Sequence, residues 1–353
     1  MPKTKKTNNV LYKHKLSPQL LSSTEQTKVV EKCLLNQVSV LIGGAGTGKS
    51  FVTATIISQL QANGKEVAVL APTHKAKEAL QEKIGTTSTV RTIHSFVHKP
   101  VPCDAIVIDE SGMLSTPLLL KLLYNHSKKQ LVFVGDKNQL PPIEYGRPFE
   151  RIQKLFPTSE LKRNMRSESS DIIALGREIL GVPVNANMRT PNITLVNSAA
   201  EAHAQGAEVV LSFMNSTVTE INEQRKVKGG IKAISPLFSV GDKIIAKTNE
   251  ANRFYNGQLF TITHPTRAIN QKTKKPLIFR SRKDLERNFS LAYGLTIHKS
   301  QGSEWNTVAY QPSVYDTQNL AYVAVTRAKK RLIIIGEDIK NEYKKDKEWS
   351  QLI

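Results

Sequence analysis

Two cysteines in 353 residues, Cys33 and Cys103, are too few for a secreted disulfide framework or a four-cysteine zinc site, and they suit a reducing compartment. Acidic residues are also short: thirty Asp and Glu face fifty Lys and Arg, a net charge of +20 with a pI near 9.8. A polyanionic partner is favoured. No apolar run reaches the 18 residues that a membrane span needs, and the basic start MPKTKKTNNVLYKHK leads into no apolar segment. Neither export nor membrane spanning is expected, and the expected location is cytoplasmic. Aromatic residues make up only 6% of the chain, which leaves few side chains for stacking interactions.

What is present describes a folded chain. At 39% hydrophobic and 23% charged, the composition excludes a disordered basic tail as the main content. The length exceeds what one core supports, so two or three domains are expected. Apolar, β-branched runs (VSVLIG, EVAVLA, AIVIDE, QLVFVG) alternate in the first third with helical stretches such as SFVTATIISQLQANG and THKAKEALQEKIG, each leaving through a glycine. That rhythm predicts a doubly wound α/β domain on a parallel sheet. Glu150 to Gly181 reads as helical with an interruption at Pro157. A second α/β pattern starts at AEVVLSF and resumes only at FSLAYGLTIHKSQG, and between them short strand-like pieces (DKIIAKT, QLFTITH, PLIFRS) predict an inserted β-barrel. The expected division is 1–155 for the first domain, 156–239 with 289–353 for the second, and 240–288 for the insertion. There is no internal repeat.

GGAGTGKS, comprising Gly43, Gly44, Ala45, Gly46, Thr47, Gly48, Lys49 and Ser50, follows a strand and precedes a helix, as a P-loop must. Its backbone N–H groups and the helix N-terminus would face an anion. Lys49 would reach the β- and γ-phosphates and the Ser50 hydroxyl would ligate Mg2+. Hydrolysis then needs carboxylates: Asp109, directly or through water, for the metal, and Glu110 for the attacking water, both at the end of AIVID. Gln139 stands on a proline-stiffened loop in VGDKNQLPPIEYG, where it could sense the γ-phosphate. The alternatives are a solvated acidic pair and a surface turn.

The ordered set LSSTEQ, GGAGTGKS, APTHKAKEAL, RTIHSF, IDESGML, GDKNQLPP, LKRNMRS, LTIHKSQGSEW and AYVAVTRAKKRL resembles the superfamily 1 helicases, in their RecD-like and phage Dda-like branch, superfamily 1B. The resemblance runs from about Leu21 to Gly336. It implies two RecA-like P-loop motor domains, with a small Src-homology-3-like β-barrel inserted in the second at Gly241 to Ile262 and onward. It also implies that Gln26 contacts adenine, that Arg166 (with Arg163 as the alternative) and Arg327 reach the γ-phosphate from the second domain, and that Gly302 and Glu304 approach the nucleotide. Arginine suits that task because it presents positive charge bidentately at any relevant pH.

For the nucleic-acid path the resemblance implies Thr73, His74, Thr92, His94, Thr296, His298, Lys299 and Ser300, short polar groups suited to phosphate and sugar contacts that release easily. Phe96 and Tyr145 lie beside these motifs as candidates for base stacking, with a place in the core as the alternative. The basic run QKTKKPLIFRSRKDLER fits either a strand-contacting face or a solvated loop. The histidines lack metal-ligand spacing.

The chain departs from the branch in one place. Relatives carry a wedge hairpin between the TIHSF and DES motifs, whereas here seven residues, Val97 to Cys103, with two prolines separate Phe96 from Asp104. A paired hairpin is excluded there and the wedge is truncated. The resemblance implies an ATP- and Mg2+-dependent DNA helicase, monomeric, moving 5′ to 3′ on single-stranded DNA and acting at duplex junctions. Replication proteins are expected partners, and a phage origin would place it in host cytoplasm. The alternatives are a translocase or protein-displacing remodeller with weak unwinding, a nucleotide-binding switch that scarcely hydrolyses, and an RNA helicase.

Overall fold

The computed structural model describes residues 24–85, 88–165, 169–182, 190–225 and 233–336. In the first domain, chain order is α1 (Thr24–Leu35), β1 (Val38–Gly43), α2 (Lys49–Ala62), β2 (Val67–Ala71), α3 (His74–Ile84), β3 (Val90–Thr92), α4 (Ile93–His98), β4 (Ala105–Ile108), α5 (Thr116–His126), β5 (Gln130–Gly135), α6 (Pro148–Leu155) and β6 (Thr158–Leu161). The strands form one parallel sheet in the order β3-β2-β4-β5-β1-β6. Because strand side chains alternate, Leu41, Val69, Val107 and Val132 pack on one face with α1, α2 and α3, while Val40, Leu70, Ile106 and Phe133 pack on the other with α4, α5 and α6. The inner strands β1, β2, β4 and β5 therefore read as nearly continuous apolar runs.

One boundary moves. The segment Thr158–Leu161 was expected in the second domain, but it pairs with β1 as the edge of the first sheet, from Val40↔Thr158 to Gly43↔Leu161. Its sequence, TSEL, buries only Leu161 and so lacks the apolar signature of the inner strands.

The second domain holds α7 (Ser170–Ile179), β7 (Ile193–Val196), α8 (Ala199–Ala204), β8 (Val209–Ser212) and α9 (Asn215–Arg225). The insertion follows as β9 (Lys243–Ala246), β10 (Leu259–His264), β11 (Arg267–Asn270), β12 (Pro276–Ile278), α10 (Arg282–Asn288) and β13 (Phe289–Leu291). The chain then returns through β14 (Gly294–Thr296), α11 (Ile297–Ser300), β15 (Trp305–Tyr310), α12 (Gln318–Thr326) and β16 (Ala328–Ile335). The second sheet is parallel throughout, in the order β14-β8-β15-β16-β7.

The insertion is a five-stranded antiparallel sheet, β12-β11-β10-β9-β13, around Phe254, Phe260, Phe279 and Phe289, and it ends at Leu291 rather than at 288. Alternation along β9 joins it to the motor: Ile244 and Ala246 enter the insertion's core, Ile245 that of the second domain. Val97 and His98 close α4, and residues 99–104 contain no strand. Among the described residues no helix is long and apolar enough to cross a membrane.

Candidate functional site

The phosphate loop leaves β1 at Gly43 and enters α2 at Lys49. Gly48 has φ 83°, and a Cβ there would come 2.9 Å from Gln26 Nε2, so glycine is needed for both conformation and space. Gln26, buried on α1, thus lies directly behind the loop. The Lys49 ammonium donates to the carbonyls of Gly43 and of Gly44, the latter at 2.8 Å, and lies 4.0 Å from the Asp136 carboxylate. Ser50 Oγ accepts from Lys83 Nζ at 3.0 Å.

The acidic pair leaves β4 at the same end of the sheet. Glu110 holds φ 50° and ψ 40°, a left-handed conformation uncommon for glutamate, which starts the turn Ser111–Met113. Burial raises the Asp109 carboxyl above its ordinary range. Burial first, and then the charge of Asp109, push Glu110 up to about 7, against the pull of Lys49 and Arg327.

The second domain closes the site. Arg327, at the end of α12, is 5% exposed, its Nε donating to Val323 O at 3.1 Å and its Nη1 to Ser303 O at 3.3 Å. Gly302 has φ 71°, and a Cβ there would meet Ala76 N of α3 at 3.2 Å, so the domains touch through backbone. Glu304 pairs with Lys329 at 3.7 Å. Gly44 to Ser50, Asp109, Glu110, Gln139, Gly302, Glu304 and Arg327 line one cavity of about 770 Å³. Arg166 lies outside the described residues. Its neighbour Met165 lines the cavity and donates its N–H to Gly46 O at 2.8 Å, whereas Arg163 is exposed.

In and beside the cavity stand groups that sequence reasoning missed. Lys75 Nζ donates to Lys299 O across the domain boundary at 2.8 Å and sits 5.7 Å from the Trp305 ring centre. Burial first, then the Arg327 charge, lower it to about 7. Tyr322 and Asp136 meet beside the phosphate loop. These three stand within quoted motifs, so position was available as a signal. Lys272 lies in the basic run, and Lys83 carried no signal.

The expected strand contacts divide. His94, His298, Lys299 and Tyr145 are exposed. Thr73, Thr92 and Thr296 each cap a helix, accepting from the N–H of Ala76, Ser95 and Lys299. RTIHSF and LTIHKS are thus built alike: a threonine cap leaving a parallel strand, a buried isoleucine, an exposed histidine.

Two assignments are corrected. Phe96 is fully buried beside His126, with ring centres 4.9 Å apart, and cannot stack on a base, because its helical position faces the sheet. Ser300 is fully buried and donates to Ile297 O at 2.6 Å, so its hydroxyl serves α11. His74 stacks on Tyr255 of the insertion at 3.6 Å and 7°, which takes one ring face, and burial lowers its pKa. Beside it Gln258 bonds Glu78, and Lys272 pairs with Glu82 at 3.0 Å, docking the insertion on α3. In the basic run, Arg280 and Arg282 pair with Glu250 and Glu286, which reduces the charge left for a strand.

Two parallel sheets facing each other across a phosphate loop, an acidic pair and an arginine from the opposite sheet define a P-loop motor core of two RecA-like domains. Residues 21–181 match the AAA domain family and residues 291–335 the UvrD-like helicase C-terminal domain. The ATP-dependent RecD2 DNA helicase of Deinococcus radiodurans is 29% identical over 89% of this chain and 49% of its own length. The RecD subunit of the RecBCD enzyme of Mycobacterium tuberculosis is 24% identical over 89% of this chain and 69% of its own. This chain therefore spans about half of the first of these relatives. In fold it is similar to Bacteroides Pif1 bound to single-stranded DNA (TM-score 0.60, 18% identity, 91% of this chain and 93% of that one). Pif1 helicase from Candida albicans is comparable, with TM-score 0.59 and 19% identity over 94% of this chain and 99% of that one. In sequence the chain is similar to RecD-type helicases, and in fold to Pif1 helicases.

Proposed function

We propose that this chain is an ATP-dependent DNA helicase that moves along single-stranded DNA, 5′ to 3′, and couples hydrolysis to duplex unwinding. The observation that carries the reading is the shared cavity, with Lys49 and Glu110 on one wall and the buried Arg327 from the other domain opposite. Phosphoryl transfer demands little covalent chemistry and much placed charge, and this arrangement supplies it only when the two domains meet.

In the proposed cycle Lys49 and Gln139 hold the terminal phosphate from one side, and Arg327, with Arg166, from the other. Glu110 takes the proton of the attacking water. Mg2+ suits Ser50 and Asp109, oxygen ligands on the wall of the same cavity, with phosphates and water to complete its shell. When bound, Mg2+ neutralises charge on the phosphates. Hydrolysis removes the link between the domains, and alternate closing and opening carries the grip along the strand. His94 from the first domain and His298 with Lys299 from the second supply that grip, and Tyr145 stacks on a base. The inserted sheet, read as the Src-homology-3-like barrel, covers the path from its seat on α3. The protein acts as a monomer in the cytoplasm, with replication proteins as partners.

Partial duplexes with a 5′ or a 3′ single-stranded tail test unwinding and polarity together. Unwinding of the 5′-tailed substrate alone is expected; unwinding from the 3′ tail alone reverses the polarity, and none with either removes the helicase reading. The second reading, a translocase with weak unwinding, is favoured by the strand-free segment 99–104, where a wedge hairpin would stand. It is separated by protein displacement from single-stranded DNA without duplex opening.

A pH dependence follows from Glu110. Its folded value of about 7 lies above the ordinary 4.5, so the proton is held more tightly in the folded chain and the basic form is gained as pH rises through 7. kcat/KM for ATP should therefore fall about tenfold per unit on the acid side, with an apparent midpoint near 7. Glu110→Gln should reduce the rate on the order of 10²–10⁴-fold and abolish that limb. A wild-type profile flat from pH 6 to 8 would remove Glu110 as the base.

A further inference from the structure

One side chain of the second domain touches the phosphate loop itself, and the cycle above gives it no task. Tyr322 on α12 is 4% exposed, with its ring against Gly176 of α7, where a Cβ would lie 3.4 Å from Cδ2. Its hydroxyl accepts from Ala45 N–H at 2.9 Å and donates to Asp136 Oδ2 at 2.8 Å. Asp136 is 3% exposed, and its Oδ1 accepts from Asn138 N–H at 3.0 Å. The same Oδ2 lies 4.0 Å from Lys49 Nζ. One buried carboxylate oxygen is thus placed between the proton of a tyrosine and the ammonium of the lysine assigned to the triphosphate.

A buried carboxylate is costly unless its oxygens are satisfied. With the Tyr322 hydroxyl in place, Oδ2 has a donor and Lys49 bonds the loop carbonyls. With the hydroxyl withdrawn, the nearest cation is Lys49, already within reach of a small side-chain rotation. The hydroxyl belongs to the domain that carries Arg327, and one turn earlier on the same helix Asn319 Nδ2 donates to Asn138 O at 3.0 Å. Helix α12 therefore grips the Asp136–Gln139 loop at two points.

We propose that Tyr322 is a positioning residue linking domain approach to nucleotide affinity: when the domains meet, it satisfies Asp136 and leaves Lys49 available to the triphosphate. When they part, Asp136 draws Lys49 away and the hold on nucleotide loosens. The inference rests on the nucleotide-site reading above and adds a device by which product release follows domain opening.

The test uses the full chain, a fluorescent ATP analogue with Mg2+, and the variants Tyr322→Phe, Asp136→Asn and the two combined. Phenylalanine keeps the ring packing and removes only the hydroxyl. Tyr322→Phe should raise Kd about tenfold, the scale of one hydrogen bond to a charged group. Asp136→Asn should bind within threefold of wild type, since it lacks the competing charge, and the combined variant should return to the Asp136→Asn value. That rescue is not expected of a merely structural tyrosine, for which the two losses would add. A Tyr322→Phe Kd within twofold of wild type, or a combined variant as weak as Tyr322→Phe, would overturn the proposal. Should Tyr322→Phe fail to fold, Asp136→Asn still decides: binding weakened more than threefold overturns it and unweakened binding supports it. Absence of binding by wild type would overturn the nucleotide site itself, a result distinct from equal binding by wild type and variant.

Discussion

Lys49→Ala is expected to abolish DNA-stimulated ATP hydrolysis and unwinding together, lowering kcat/KM on the order of 10³-fold or more, or about 4 kcal/mol of transition-state stabilisation. The Lys49 side chain is 15% exposed and its ammonium bonds the carbonyls of Gly43 and Gly44, so water screens it poorly and its charge acts strongly on whatever enters the cavity. The fold should survive. Among the described residues Lys49 has one ion pair, at 4.0 Å, and its bonds to two carbonyls stabilise the chain by about 1.5–3 kcal/mol each at most, less where water replaces the ammonium as donor. A variant with an unchanged melting temperature that retains a tenth of the ATPase rate would sink the active-site assignment. Nucleotide binding, titrated separately, should weaken less than turnover, because the loop's backbone N–H groups remain.

Much of this site was readable in advance because its chemistry is local in sequence. A strand, a glycine-rich turn and the start of a helix within thirteen residues, Val38 to Ser50, leave few other structures to adopt. Asp109 and Glu110 were legible for a related reason: β4 is wholly buried, so the first charged residues after it must stand at its end, where every parallel strand of the sheet delivers its motif. Features that depend on distant partners were not. Nothing near His74 announces that Tyr255 will stack on it, because the contact forms only when the insertion folds back on α3. Phe96 and His94 sit in one motif, and only the helical turn between them decides which faces the core and which the solvent. The strand TSEL was assigned to the wrong domain because an edge strand can be polar. Tyr322 stood in plain view within AYVAVTRAKK, yet a tyrosine between apolar residues reads as core, and its hydroxyl acquires meaning only through Ala45 and Asp136 on the other sheet.

Arg327→Ala separates chemistry from binding. Its guanidinium belongs to the second domain, whereas the phosphate loop, Ser50 and Asp109 belong to the first, so nucleotide should still bind with Kd changed less than about fivefold. kcat should fall on the order of 10³–10⁵-fold, the range associated with an arginine supplied to a phosphoryl-transfer site. Because Arg327 is buried and donates to the Val323 and Ser303 carbonyls, truncation also leaves two acceptors unpaired, which costs about 1–3 kcal/mol and lowers the melting temperature by a few degrees. Arg327→Lys controls for that loss. It keeps the charge and one donor but not the planar fork, so it should recover much of the stability and only a small part of the rate. The arginine also acts on its neighbour: its charge is the second cause, after burial, that holds Lys75 at about 7. Removing it lets Lys75 bind its proton more tightly, which keeps a cation at the domain boundary, and the bond to the Lys299 carbonyl charge-assisted, to higher pH. A variant whose kcat falls no more than its nucleotide affinity would show Arg327 to be a binding group like Lys49, and would place the decisive positive charge of the second domain elsewhere.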